Sequence, residues 1–367
     1  QLEDSKVRAA VCRTFGAPLS IEDIDLRMPG PGEVHVRLDA CAICHSDITY
    51  MDGDWGGELP AVYGHEAAGI VQGIGEDVKG LHCGVSVLVT LLRSCGDCFY
   101  CQKHQESLCE TRFSLDESSP IADQQGIPIG HGLRTGAFAE EVVVHATQVI
   151  EVPPDLPMDS AALLSCGVIT GVGAVKNVAA VPAGASVVTI GMGGVGINCV
   201  QGAALSNARL NIALDLSSDK LEVMSRFGAT HVINPTAEDA PDIVRRLTGG
   251  RGADYVFVAA GSRPAIEQSV QLIRRGGMVV LVGMTAEGVK AEFETLDLAN
   301  DAIHLVGSKM GSTRLRSDIP ALVEHYRNGR LKLDELVSNR YPLERINEAI
   351  AEVKTGAVLR NVIMFRE

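Results

Sequence analysis

ASVVTIGMGGVGINCVQGAALSNA, Ala185–Ala208, decides the fold. The bounded apolar run ASVVTI reads as a buried strand. It runs into GMGGVG, Gly191–Gly196, and then into a helix-like segment. A G-x-G-x-x-G turn between a strand and a helix lets backbone approach a pyrophosphate and aims free N–H groups at it. The next strand, LNIALD, ends at Asp215, nineteen residues beyond Gly196. A carboxylate there accepts hydrogen bonds from ribose hydroxyls. It would meet a 2′-phosphate as a like charge, at roughly 4 kcal/mol per unit charge for about 4 Å and an effective dielectric near 20. NAD is therefore expected in preference to NADP. Gly191, Gly193, Gly194, Val195, Gly196 and Asp215 form the expected cofactor side. Lys220 is a further candidate donor to the ribose, with a solvated surface lysine as the ordinary alternative.

Outward from this turn, HVINP, ADYVFVAAG, GGMVVLVG and AIHLVGS are further buried-strand runs with helical stretches between several of them. Such alternation signals a doubly wound parallel sheet, hence an α/β fold. Six strands are complete by about residue 305. The first third is β-rich instead: VHVRLDACAIC, AAGIVQGIG, VSVLVTLL and AFAEEVVVHATQVIEVP are short strands punctuated by Gly and Pro. The tail carries amphipathic helices in IPALVEHYRNGRL and LERINEAIAEVKTG and a closing strand, RNVIMF, and is expected to return to the first domain.

Cys95, Cys98, Cys101 and Cys109 lie in CGDCFYCQKHQESLC. Two C-x-x-C steps sharing a cysteine, plus a fourth thiol, suit tetrahedral Zn²⁺; the competing reading is two disulfides. The chain has 367 residues, a net charge of −14 and 10 cysteines. That length accommodates two domains. The acidic balance argues against nucleic acid or an anionic membrane as partner. Gln1–Arg8 is polar, so no secretory apolar stretch opens the chain, and no apolar run reaches the eighteen or so residues of a membrane span. The cysteine usage fits a reducing, cytoplasmic setting.

Three further candidate ligands stand apart: Cys44 in ACAICHSD, His65 in YGHEAAG and Cys166 in LLSCGVITG. A Cys₂His set would leave zinc's fourth position for water or substrate, although spacing alone does not bring the three together. CHSD, GHE, the four-cysteine lobe, SCGVITG, GMGGVG and the ALD strand end occur in an order and spacing that resembles zinc-dependent medium-chain alcohol dehydrogenases, over essentially the whole chain. The resemblance implies a GroES-like β-rich catalytic domain over 1–165 with a structural zinc lobe at 93–112, a Rossmann domain over 166–305, and a return to the catalytic domain over 306–367.

It also implies residue roles. Cys44, His65 and Cys166 would hold a catalytic zinc, the lobe cysteines a second, and Glu66 and Asp47 would orient the ligands. Ser46 would bond the substrate oxygen and His45 the cofactor pyrophosphate. Thr170 would lie beside the nicotinamide, Val195 behind its ring, and Arg360 near the pyrophosphate. Trp55 would narrow the substrate pocket or simply pack. The implied reaction is reversible hydride transfer between a small alcohol and NAD, in a homodimer or homotetramer. Many relatives end their proton relay on a histidine where this chain has Thr49, and show Gly-Asp where it has Gly84-Val85. A zinc polyol dehydrogenase, a glutathione-linked formaldehyde dehydrogenase and a catalytically retired paralogue are the alternatives. His35, His82, His104, His131 and His145, and Cys12, Cys41, Cys83 and Cys199, carry no motif and read as ordinary surface or core residues.

Overall fold

The computed structural model describes residues 5–366; Gln1–Asp4, half of the polar opening stretch, lie outside them, as does Glu367. Two units are resolved by their internal packing: Gln1–Cys166 with Arg314–Val323 and Leu333–Glu367, and Gly167–Thr313 with Glu324–Lys332.

In the second unit the apolar runs form one six-stranded parallel sheet. Its order is His231–Ile233, Leu210–Leu214, Ser186–Ile190, Ala253–Val258, Ile273–Leu281, His304–Gly307. Ser186–Ile190 and Leu210–Leu214 are buried along their whole length, as strands covered on both faces must be. The GMGGVG turn and Asp215 both fall at the C-terminal ends of central strands. This is where ligands bind in open α/β sheets.

The first unit is β-rich. Ser5–Cys12, Ser20–Leu26, Ile121–Ala122, Pro128–His131 and Ala61–Val62 close a barrel. A seven-stranded sheet is organised around Glu33–Ala42, which pairs antiparallel with Glu66–Ile74, Glu141–His145 and Arg360–Met364. The closing strand RNVIMF thus belongs to this sheet. Val34, Val36, Leu38 and Cys41 of the central strand are fully buried in its core. Val85, at the departure from the Gly-Asp turn, packs partly buried against the same core.

One expectation needs correction. The run VHVRLDACAIC is not strand to its end: the strand stops at Ala42, and a helix, His45–Asp52, follows. The cause is Asp47, whose carboxylate accepts the Cys44 N–H at 3.0 Å and so favours a helical turn over a ladder. The helical run Met158–Val178 is long and apolar enough to cross a membrane by length and composition alone, but Asp159, Lys176 and Asn177 interrupt it, so no uninterrupted apolar run of that length is present among the described residues. With 94% of its apolar window buried in protein, it has the surroundings of a core helix.

Candidate active site

Strand register assembles the first cluster. Ala42 pairs with Glu66, and Val362 pairs with Ala42. Cys44, His65 and Arg360 therefore emerge at one end of neighbouring strands although Arg360 follows Glu66 by 294 residues. Cys166 arrives from a wider π-type turn, Leu164–Val168. Ser165 ties that turn down: its Oγ donates to Ala67 O at 3.1 Å, and its carbonyl accepts from Thr90 Oγ1 at 2.7 Å. Donor atoms of Cys44, His65, Glu66 and Cys166 all lie within 4.8 Å of one another.

Asp47 orders this cluster. It is fully buried, and its two oxygens accept from the Cys44 N–H (3.0 Å), the Gly64 N–H (2.9 Å) and His65 Nδ1 (2.9 Å). Gly64 is required there, since its φ is +91° and a Cβ would sit 2.6 Å from Phe138 N. Donation from Nδ1 turns Nε2 towards the two thiols, where it is buried without a hydrogen-bond partner and offers its lone pair once the proton it carries leaves. An orphaned imidazole nitrogen facing two thiols is a poor resting place for a polar atom and a good ligand for a soft divalent ion. The residues therefore fit zinc, with Cys44, His65 and Cys166 as donors.

Electrostatics agree. A hydrogen bond from Cys166 holds the Cys44 thiol well below its ordinary value, while the same bond and burial push Cys166 well above. Burial opposes a charged His65, but the Asp47 carboxylate overcomes it and raises His65. Burial raises Glu66 against the opposing charge of Arg360, whose Nη2 lies 2.6 Å from Glu66 Oε2. Arg360, expected near the pyrophosphate, has this guanidinium on Glu66 and on the Ile43 carbonyl at 3.2 Å. Nothing in the sequence flags that pairing, which depends on register alone.

Ser46 is half-buried and His45 exposed on the helix that Asp47 starts. Thr49 Oγ1 donates to His45 O at 2.8 Å, so its proton is committed inside the helix. Trp55 joins an aromatic group unforeseen from the sequence, edge-on to Tyr50 at 5.2 Å, with Tyr50 stacked on Tyr63 at 5.9 Å.

Cys95, Cys98, Cys101 and Cys109 also bring their sulfurs within 4.8 Å of one another, with Cys95–Cys101 at 4.0 Å and Cys98–Cys109 at 3.9 Å. A tetrahedral Zn–S site needs sulfurs about 3.8 Å apart, far beyond disulfide length. All ten cysteines are free thiols. Backbone N–H groups of Cys101 and Glu110 draw the Cys98 thiol down to about 6, towards the thiolate a metal binds.

The second unit carries the other chemistry. Gly191 has φ +94°, and a Cβ on Gly196 would lie 1.7 Å from Gly191 O, so helix and strand could not pack with any larger residue. At Gly193, by contrast, a Cβ would meet nothing within 4 Å. The open face at the helix N-terminus, where Gly194–Leu205 begins, is the approach a pyrophosphate requires. Asp215 accepts from Met192 N at 2.5 Å and Ser217 N at 2.8 Å, one bond per oxygen, leaving lone pairs for ribose hydroxyls. Ser217 caps Lys220 N, which sets Lys220 in the first turn of the next helix. Thr170 lies on Ile169–Gly173; a Cβ on neighbouring Gly171 would be 2.4 Å from Val195 O, so the helix that carries Thr170 packs tightly on Val195 at Gly171.

Known proteins agree with this arrangement. Residues 30–154 match the alcohol dehydrogenase GroES-like domain family, and residues 194–328 match the zinc-binding dehydrogenase family. An alcohol dehydrogenase of Malus domestica is 34% identical over 99% of this chain and 98% of its own length. The crystal structure of benzyl alcohol dehydrogenase from Acinetobacter calcoaceticus superposes with TM-score 0.92 at 30% identity, covering 99% of this chain and 100% of that one. A putative zinc-binding dehydrogenase from Sinorhizobium meliloti, bound to NADP, gives TM-score 0.80 at 25% identity, covering 98% and 99%. The chain thus belongs to the zinc-dependent medium-chain dehydrogenases, as an alcohol dehydrogenase-type oxidoreductase using zinc and a nicotinamide cofactor on small alcohols or aldehydes.

Proposed function

We propose that this chain interconverts an alcohol and its aldehyde or ketone with NAD as hydride carrier, holding one zinc on Cys44, His65 and Cys166 and a second in the cysteine lobe. The observation that carries the reading is the buried, unpartnered His65 Nε2 among two thiols, its tautomer fixed by Asp47. A retired paralogue would have no reason to keep that costly arrangement. When bound, the metal supplies Lewis acidity and the nicotinamide accepts the hydride.

The chain's own residues do the rest. The Cys44 and Cys166 thiolates and the neutral His65 imidazole would make a formally neutral set with a divalent ion, which would stabilise negative charge on the substrate oxygen without trapping it. Ser46 Oγ accepts the hydrogen bond of the substrate hydroxyl and relays its proton towards solvent, giving up its own hydroxyl hydrogen as it receives the new one. Thr49 does not carry it onward as donor, because its hydrogen is held by the His45 carbonyl. Asp215 selects NAD by facing the ribose with a carboxylate. Trp55, with Tyr50, lines the substrate side, which makes aromatic alcohols the first class to assay; benzyl alcohol is what the Acinetobacter relative is named for. Free cysteines throughout favour a reducing cytoplasm.

Metal analysis together with NADH formation on primary, secondary, aromatic and polyol substrates tests the proposal. Two zincs per chain and alcohol-dependent NADH formation are expected. One zinc per chain with no turnover on any alcohol would mark a retired site.

A further inference from the structure

Arg93 is the first residue of the cysteine lobe, two before Cys95, and is 2% exposed, an unusual place for a charge. Every direction of its guanidinium is engaged. Nε donates to Gln148 Oε1 at 2.6 Å, Nη1 to Asp116 Oδ1 at 2.7 Å and Nη2 to Arg134 O at 2.9 Å. Its Cζ also lies 5.9 Å from the centroid of the Phe113 ring. The partners are not random. Phe113–Asp116 is where the chain leaves the lobe, and Asp116 turns it by accepting Phe113 N at 3.0 Å. Gln148 continues the network, donating to Thr90 O at 2.8 Å and Arg134 O at 3.0 Å and accepting from His145 N at 3.1 Å. Ser94 N reaches Thr147 Oγ1 at 3.3 Å. One side chain thus ties the lobe's entrance to its exit and both to two underlying segments.

A buried ion is expensive and gives little net stability compared with apolar packing. Its return is specificity of position. A four-thiol site needs sulfurs from Cys95 and Cys109 delivered to the same point, and those sulfurs sit on opposite stems. We propose that Arg93 is a positioning residue for the lobe's metal: it clamps the two stems, so the four thiols are held in register before an ion binds and while one leaves. Arginine is required because only a planar fork reaches carboxylate, amide and carbonyl at once; a lysine ammonium is a point donor. The inference rests on the reading that the lobe holds zinc.

The test is zinc release from the full-length, zinc-loaded chain to a chromogenic chelator, with pulsed thiol alkylation and mass spectrometry to show which cysteines open. Arg93→Met should speed release from Cys95, Cys98, Cys101 and Cys109 at least tenfold and leave release from Cys44 and Cys166 unchanged. Arg93→Lys should fall between. Unaltered lobe release in Arg93→Met, or equal acceleration at both sites, overturns the clamp. Should Arg93→Met not fold, hydrogen exchange on zinc-stripped wild type decides. The Ser94, Phe113 and Asp116 amides should stay protected while Asp97–Gln105 exchanges, and exchange of stems and lobe together overturns it. Absence of zinc from the wild-type lobe would instead refute the underlying reading.

Discussion

Asp47→Asn is the sharpest perturbation the site offers. The carboxylate accepts three hydrogen bonds in a fully buried position, two of them on Oδ1 and one on Oδ2. An amide has one oxygen, and it best takes the Oδ1 place, serving Gly64 N and His65 Nδ1. The amide nitrogen then confronts the Cys44 N–H, donor against donor, leaving both unpaired at about 1–3 kcal/mol each. The bond to His65 survives but loses its charge assistance, roughly half its strength. The imidazole becomes less basic and less firmly aimed, and removal of such an outer partner weakens metal binding about 10–100-fold. Asp47→Ala would leave three donors unpaired, about 3–9 kcal/mol at the same rate, and unfold the domain. Chelator competition on Asp47→Asn, with urea unfolding alongside, measures both effects. Wild-type zinc affinity together with unchanged stability would refute the claim that Asp47 sets the geometry and tautomer of His65.

Gly193→Val separates fold from cofactor. Its φ of −85° and ψ of −174° suit any residue and its Cβ would meet nothing, so unfolding should shift by less than about 0.5 kcal/mol; titration should show dinucleotide binding at least tenfold weaker. Asp215→Ser removes the like charge facing a 2′-phosphate. The preference for NAD over NADP in kcat/KM should then fall about a hundredfold, within the ceiling of about 4 kcal/mol per unit charge; an unchanged ratio means that the carboxylate does not set cofactor choice. His131 donates to Thr135 O at 2.8 Å, its Nδ1 is buried without a partner, and burial pushes it from 6.5 down to about 3. Between those values only the unfolded chain takes up the proton. Stability is complete above about pH 6.5 and declines as pH falls towards 3, by up to about 1.4 kcal/mol per pH unit. His131→Gln should flatten that slope in acid unfolding.

Local chemistry was legible in the sequence, and register was not. GMGGVG and Asp215 could be read because strand, turn and helix are contiguous, so the motif carries its own context. The lobe could be read because four thiols within fifteen residues have few ways to arrange themselves. Arg360 could not: its meeting with Glu66 follows from Val362 lying opposite Ala42 while Ala42 lies opposite Glu66, and one residue of slip would aim it at the other face. The helix His45–Asp52 was hidden because Cys44 continues an alternating pattern, and only the burial of Asp47 shows that its carboxylate is spent on backbone. The Arg93 clamp joins four segments, none of which carries a motif.

Taken together, the buried groups around His65 make metal uptake a proton exchange. With every acid ionised, Cys44, Cys166, Asp47 and Glu66 would set four negative charges against the single positive charge of Arg360, which a buried site does not sustain. The metal-free chain therefore keeps protons: Cys166 and His65 are pushed well up, and Glu66 up. Both Cys166 and His65 must surrender theirs to become ligands, so a divalent ion should displace about two protons on entering. Raised pKa values mean that these protons are present at neutral pH and compete with the metal. Affinity should then climb with pH, by about a hundredfold per unit while two protons are exchanged. Calorimetric zinc titration in buffers of different ionisation enthalpy counts them, with Cys44→Ser supplying the lobe's own contribution. A proton count of zero at this site would show that the donors stand ionised without metal, with Arg360 alone holding the charge.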